Sequence, residues 1–275
     1  MKNLMAIIIY LAHIACHAMI NVSPVYIEFS NNKDAVEITL ENHDNKERIF
    51  NASIKQWSQE LGKDIYSDTN DLLVLPFIRR VMPNSQQKFR VILRKKTDGT
   101  LQKSFRLFFR EVPQLPKNMS LRTSLSIAFQ LVVPVFINEK NYVANQNIIW
   151  TANYDTHGKI VLKLENKGNT FLKLGQLRAK ELSKPIDSTW RYILPNNEKT
   201  WEIKNLNSIN KKLSLSFVEL VAQRPAEKSE TVLLINPKKK SVKNRNYIKI
   251  LTKPDKHYRP TTSVKWCIPQ LDRIL

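Results

Sequence analysis

The sequence predicts an all-β chain folded as two β-sandwiches, and three observations lead there. Short runs rich in β-branched and aromatic residues recur along it, punctuated by turns built from Asn, Asp and Gly. No long amphipathic helical pattern interrupts them. One run alternates strictly: Leu125, Ile127, Phe129, Leu131, Val133 and Val135 are apolar at every second position, the period of a strand with one apolar face.

In chain order, the runs at 25–29, 35–41 and 48–57 read as strands, separated by Asn-Asn-Lys-Asp at 31–34 and Asn-His-Asp-Asn at 42–45. The run 72–81 is extended and interrupted by Pro76, and Met82-Pro83-Asn84-Ser85 reads as a turn. The runs 88–93 and 104–112 follow, separated by Thr97-Asp98-Gly99, and then the alternating run to 136. Seven or eight strands in roughly 120 residues is the spacing of a β-sandwich. Asn138-Glu139-Lys140-Asn141 breaks the apolar pattern and reads as a link between a domain at 19–138 and another at 141–236. The second set of runs covers 148–153, 159–165, 171–179, 190–194, 200–203, 211–221 and 231–235, with turns at Thr156-His157-Gly158 and Asn166-Lys167-Gly168-Asn169. The repeat is architectural, without a repeated sequence.

The two ends differ from the rest. Residues 1–18 open weakly basic, are apolar from Ala6 to Cys16 apart from His13, and end Cys16-His17-Ala18, which places a cut before Met19. This is the layout of a secretory signal peptide, too short for the ~20 apolar residues of a membrane span. Cleavage would remove Cys16 and leave Cys267 alone, so no internal disulfide framework is expected, and the fold must rest on its apolar core.

The formal net charge is +20. After Pro237, eleven Lys and Arg residues face only Asp255 and Asp272, so the extension at 237–275 carries nine of these charges. It reads as a solvated basic extension in which Tyr247-Ile248-Lys249-Ile250-Leu251 can add a short strand. Contact with membrane or cell-wall anions is the sharper alternative. An exported chain seldom meets nucleic acid, so none is expected as a partner.

The residues of catalysis are missing as patterns. The histidines are His13, His17, His43, His157 and His257, with no H-x-x-x-H or H-E-x-x-H spacing and no C-x-x-C, so no metal site is expected. There are five glycines and no G-x-G-x-x-G, phosphate-binding loop or G-x-S-x-G elbow. No enzyme activity, cofactor or small-molecule substrate is expected. Trp57, Trp150, Trp190 and Trp201 lie in strand runs and are expected in the cores. Exposed together on one face, they would instead suit a secreted adhesin or glycan-binding protein. Arg80, Arg90 and Arg106 lie on or beside strands, where an arginine in a cleft can bind a carboxylate through two parallel hydrogen bonds.

Several segments, in order, resemble the periplasmic chaperones of the chaperone–usher pilus pathway, typified by PapD. Val22-Ser23-Pro24-Val25 leads into a first strand ending at Phe29, and Leu40-Glu41-Asn42 is similar to the family's strand-ending Asn. Trp57 matches the strand aromatic that follows, and residues 79–90 resemble the family's turn and Arg-bearing strand. Ser104-Phe105-Arg106-Leu107-Phe108-Phe109-Arg110-Glu111-Val112-Pro113 is similar to the signature ending in Glu-hydrophobic-Pro. In the second half, Leu164-Glu165-Asn166-Lys167-Gly168-Asn169 resembles the family's Asn-x-Gly turn. Trp190-Arg191-Tyr192-Ile193-Leu194-Pro195 with Trp201 resembles the archaic branch, typified by chaperones of Csu-type pili.

The resemblance implies two immunoglobulin-like β-sandwiches at an angle, a periplasmic location, and a role in fimbrium biogenesis. Pilus or spore-coat-U-like subunits and an outer-membrane usher would be the partners. It implies that Leu125, Ile127, Phe129 and Leu131 form a donor strand filling the groove of a subunit that lacks its last strand, a form of β-strand addition. Each side chain so buried would contribute about 1.5–3 kcal/mol. Typical members hold the subunit's C-terminal carboxylate with an Arg on the first strand and a Lys on the alternating strand. This sequence has Tyr26 and Pro134 at those places, so the anchor is either absent or another basic residue, with Arg80, Arg90 and Arg106 as the candidates.

Overall fold

The computed structural model describes residues 19–29, 33–95, 100–114, 128–138, 147–203, 212–221, 227–235 and 249–250. Among the described residues there are eighteen strands and no helix. The first ten are β1 (Ile20–Ser23), β2 (Ile27–Phe29), β3 (Ala35–Asn42), β4 (Arg48–Glu60), β5 (Lys63–Ser67), β6 (Leu72–Leu75), β7 (Ile78–Val81), β8 (Ser85–Leu93), β9 (Lys103–Glu111) and β10 (Gln130–Ile137). They form two sheets, one ordered β1-β3-β8-β6 and the other β2-β10-β9-β4-β5, with β7 also pairing β4.

Period-two alternation puts the apolar residues of both sheets into one core. Ile38 and Leu40 of β3, Phe89 and Val91 of β8, Phe50 of β4 and Phe105, Leu107 and Phe109 of β9 are buried there. Phe89 and Phe109 meet edge to face across the two sheets with centroids 4.9 Å apart, a geometry that favours the aromatic pair beyond the area it buries.

The remaining strands are β11 (Ile148–Tyr154), β12 (Ile160–Asn166), β13 (Leu172–Ala179), β14 (Arg191–Ile193), β15 (Asn197–Ile203), β16 (Lys212–Val221), β17 (Glu227–Leu234) and β18 (Lys249–Ile250). They form a sheet β11-β12-β15 and a sheet β14-β13-β16-β17-β18. Trp150 and Trp201 stack 5.9 Å apart in this second core. β18 lies within the basic extension and pairs with β17, where the run 247–251 was expected to add a strand.

The two sandwiches share a device. Asn42 ends β3 and is 1% exposed; its amide donates to the Lys46, Val81 and Met82 carbonyls, and its oxygen accepts from the Asp44 N–H. Asn166 ends β12 and is equally buried; it donates to the Thr170 and Ile193 carbonyls and accepts from the Gly168 N–H. A buried amide is tolerated only when its hydrogen bonds are made. Both residues close the same tripeptide, Leu-Glu-Asn, a short sequence echo of the architectural repeat.

Two strands were not expected. β5 follows a two-residue turn in which Leu61 (φ 48°) and Gly62 (φ 74°) both take the left-handed conformation, the turn that matches strand twist in a tight hairpin. Leu at the first position hides that turn from a composition-based reading. β1 lies upstream of the first expected strand and pairs β3 through residues 20–23. The segments 1–18 and 237–248, together with 251–275, lie outside the described residues, as do 139–141 of the expected interdomain link. Asn138, the link's first residue, is buried and hydrogen-bonded to Gln102 and Glu28.

Candidate functional site

The apolar row of the alternating run divides at the edge of the first core. Leu131, Val133, Val135 and Ile137 of β10 are buried in it, and Phe129, next outward in phase, is half-buried against it. Leu125 and Ile127, which continue the row, lie outside the described residues. Leu131, expected to insert into a partner, is 7% exposed and packs within the chain's own core.

The strand's start is pinned by a charged cluster. The Phe129 N–H donates to Glu111 Oε2 at 3.0 Å, and the Glu111 N–H donates to the Phe129 carbonyl at 2.8 Å. Arg48 bridges Glu111 and Asp44, and its guanidinium lies 4.8 Å from the centroid of the Phe129 ring. All three charged side chains are nearly buried, at 10–12% exposure. Charge-assisted pairing of this kind offsets the cost of withdrawing them from water.

Backbone geometry gives β10 two unlike edges. Phe129 exchanges with Glu111, so the backbone groups of 129, 131, 133, 135 and 137 point to β9, and those of 130, 132, 134 and 136 point the other way. On that other side, β2 pairs only with Val135, Phe136 and Ile137, in parallel. Along 130–134 this edge has no strand beside it among the described residues. Pro134 has no N–H, and the missing donor falls on the open edge, leaving the ladder to β9 whole.

The three candidate arginines are not brought together. Arg80 is exposed on β7 and pairs with Glu47 at 3.6 Å. Arg90 is exposed on β8, in the opposite sheet, across from Glu37. Arg106 alone lies beside β10, directly across from Pro134. Its guanidinium stacks 3.6 Å from the centroid of Trp57 and 4.9 Å from that of Tyr192, which comes from the second sandwich. Burial pulls the Arg106 pKa down, and Tyr192, Tyr66 and Asp64 act against that.

Arg106 thus faces a junction between the sandwiches. Trp57, Phe136, Phe171 and Leu194 are buried together there, with Tyr192 packed against them; Phe136 and Phe171 stack 4.1 Å apart. The Gln59 amide donates to the Tyr192 carbonyl and accepts from the Leu194 N–H, both at 2.9 Å. Gln102 accepts from the Phe171 N–H at 3.1 Å, and its own N–H donates to the Asn169 carbonyl at 3.0 Å. Lys173 of β13 places its ammonium 5.2 Å from the ring centroids of both Trp190 and Tyr192. Burial lowers its pKa, with the charge of Arg106 adding to the effect. Burial raises Tyr192 to about 12, a rise that Arg106 opposes and Tyr26 reinforces.

Sequence reasoning missed Lys173, Tyr192, Gln59 and Gln102 as a group. Tyr192 lies in the segment that resembles the archaic branch, but nothing in the spacing of the four indicates that they converge. Trp57, Trp150 and Trp201 are buried and Trp190 is half-exposed, so these residues do not form an exposed aromatic platform. Among the described residues, no group of three His, Cys, Asp or Glu side chains is placed to hold a metal ion, and no helix is long and apolar enough to cross a membrane.

Comparison with known proteins reaches 73–80% of the chain. A chain of the CsuC–CsuE chaperone–tip adhesion subunit pre-assembly complex, from archaic chaperone–usher Csu pili of Acinetobacter baumannii, is similar over 80% of this chain and 100% of its own, at 19% identity and a TM-score of 0.62. A chain of the Salmonella enterica SafA pilin–SafB chaperone complex is similar over 73% of this chain and 89% of its own, at 18% identity and a TM-score of 0.53. The Pseudomonas aeruginosa CupB2 chaperone is similar over 76% and 97%, at 13% identity and a TM-score of 0.52. At such identities the likeness is one of fold, two immunoglobulin-like β-sandwiches. No curated protein matches the sequence. The family model for the PapD N-terminal domain of pili and flagellar-assembly chaperones matches residues 19–141. The family likeness is carried by this first sandwich, which holds under half of the chain.

Proposed function

We propose that this chain is a periplasmic, non-enzymatic chaperone that holds pilus subunits by donor-strand complementation and delivers them to an outer-membrane usher. Residues 1–18 direct export and are removed. The domain at 19–138 carries the donor strand, the domain at 141–236 flanks the cleft, and 237–275 is a basic extension.

The observation that carries this reading is the apolar row of β10, buried from Leu131 to Ile137 and half-buried at Phe129, beside an edge that has no strand along 130–134 among the described residues. Leu131 to Ile137 anchor the row in the chaperone's own core. Leu125, Ile127 and Phe129 extend it toward a subunit groove, with Leu131 joining the two cores. Main-chain hydrogen bonds along the open edge supply affinity, and the alternate side chains fill pockets. An incomplete subunit left unpaired would expose an edge prone to aggregation.

Co-production of the mature chain with subunits encoded beside it tests the reading. Ile127→Asp should abolish co-purification while the thermal unfolding of the free chaperone is unchanged. Undiminished co-purification would overturn it. The adhesin alternative loses its support, because three of its candidate aromatics are core residues.

A further inference from the structure

Resting on the proposed capture of subunits, we infer that Glu111 and Arg48 are positioning residues for the lent strand. They fix the point at which it leaves the chaperone's own core, and so which side chains reach the subunit.

The apolar row cannot fix that point by itself. Leu125, Ile127, Phe129, Leu131, Val133 and Val135 are apolar at every second position. Sliding the row along β9 by two residues lays apolar side chains on apolar sites and keeps the same face inward. A boundary between the anchored and the lent part needs groups that do not repeat, and polar groups supply them at both ends. Asn138, just past β10, is held by Gln102, Glu28 and the Phe29 carbonyl. Phe129, just before β10, is held by Glu111 and Arg48.

The hold on Phe129 is not an ordinary rung. Glu111 is the last residue of β9, and Phe129 stands across from it, one step beyond the Gln130–Arg110 pair. In a regular antiparallel rung of this kind the two residues exchange both backbone hydrogen bonds. Here the Glu111 N–H donates to the Phe129 carbonyl, but the Phe129 N–H donates to the Glu111 carboxylate. An ionised acceptor makes the stronger hydrogen bond. The N–H of the next residue, Val112, goes to Ile49 instead. The ladder that anchors the row therefore ends on a side chain, at one residue.

That side chain is itself aimed. Its second oxygen, Oε1, accepts from Arg48 Nη1, while Arg48 Nη2 donates to Asp44. Asp44 follows β3, so the hold reaches the opposite sheet of the first sandwich. The same guanidinium covers the Phe129 ring. Glu111 thus holds the backbone of Phe129, and Arg48 holds its ring. A strand start already ordered in the free chaperone need not be ordered on capture, which favours binding.

Two changes at Glu111 separate this role from plain stability. Glu111→Leu removes the acceptor but leaves Arg48 its partner Asp44. Glu111→Gln keeps an acceptor for the Phe129 N–H. The first readout is hydrogen exchange at the Phe129 amide of the free mature chain. It should quicken about tenfold in Glu111→Leu and stay near the parent in Glu111→Gln, with the Phe109 amide unchanged in both. The second readout is the rate at which a co-purified subunit, encoded beside this chain, is released to excess peptide of residues 121–134. Release should be about tenfold faster from Glu111→Leu and near parental from Glu111→Gln. Arg48→Met, which leaves the carboxylate without what aims it, should also release faster, so the test does not hang on the folding of one variant. Asn166→Ala, which weakens only the second sandwich, should release at the parental rate. Parental exchange or parental release in Glu111→Leu, or release from Asn166→Ala as fast as from Glu111→Leu, would overturn the inference. Ile127→Asp tests the capture reading separately. Capture that survives it removes that reading and this one with it, whereas Ile127-dependent capture with parental release from Glu111→Leu removes the positioning role alone.

Discussion

Pro134 and Arg106 face each other across the β9–β10 pair, and this one pairing joins the open strand edge to the interdomain junction. Pro134 ends the stretch of β10 whose second edge has no strand beside it among the described residues, and Arg106 stacks against Trp57 and Tyr192 at the boundary of the two sandwiches. A strand laid on that edge is therefore led toward a partly buried cation.

Replacing Pro134 by Ala adds an N–H only on the open side. The β9 ladder should survive, and the free chaperone should lose about 0.4–1 kcal/mol through the greater freedom of its unfolded chain. Urea unfolding measures the loss. Hydrogen exchange should leave the protection of amides shared by β9 and β10 unchanged.

Asn42→Ala and Asn166→Ala should each destabilise the chain far more than an exposed Asn→Ala change. Each removes a buried amide and strips partners from carbonyls at a strand end. A buried acceptor left unsatisfied costs about 1–3 kcal/mol, and urea midpoints should fall accordingly.

Gly175→Ala should displace Trp190. A Cβ built at Gly175 would sit 2.7 Å from Trp190 Cδ2, closer than van der Waals contact allows. Trp190 is 38% exposed and can swing outward, so a red shift in tryptophan emission is expected, with a lower unfolding temperature.

Asp187 predicts an acid-sensitive second sandwich. Burial would raise its pKa, but hydrogen bonds from Thr189, Trp201 and Arg191 outweigh burial and hold it well below the usual carboxylate range. A depressed carboxylate contributes stability above its unfolded pKa, 3.8 for an ordinary Asp, and that stability is lost as pH falls below this value. Urea midpoints between pH 5 and 2 should therefore fall less steeply in Asp187→Asn than in the parent.

Much of the fold was legible because its signals are local. Period-two runs and Asn- or Gly-bearing turns mark most strands, and Asn42 and Asn166 stand where their turns require them. β5 escaped notice because Leu61 occupies a turn position normally held by Asn, Asp or Gly. The alternating row was visible, but the point at which its burial in the chain's own core gives way at Phe129 depends on where β9 ends, which period alone does not encode. The junction was hidden for a stronger reason. Gln59, Arg106, Lys173 and Tyr192 are distant in sequence and meet only because two sandwiches pack together, so neither motif nor spacing could group them. The same packing separates Arg80 and Arg90 from Arg106.

The central claim is that the outward row of the β10 segment is lent to a subunit. Its most direct test is a strand-exchange competition. The mature chaperone is co-purified with a subunit and then challenged with a synthetic peptide spanning residues 121–134 of this sequence, or with the same peptide carrying Ile127→Asp. Concentration-dependent release of the subunit by the native peptide, and none by the Asp peptide, is the predicted result. Equal release by both, or retention of the subunit by an Ile127→Asp chaperone, would contradict it.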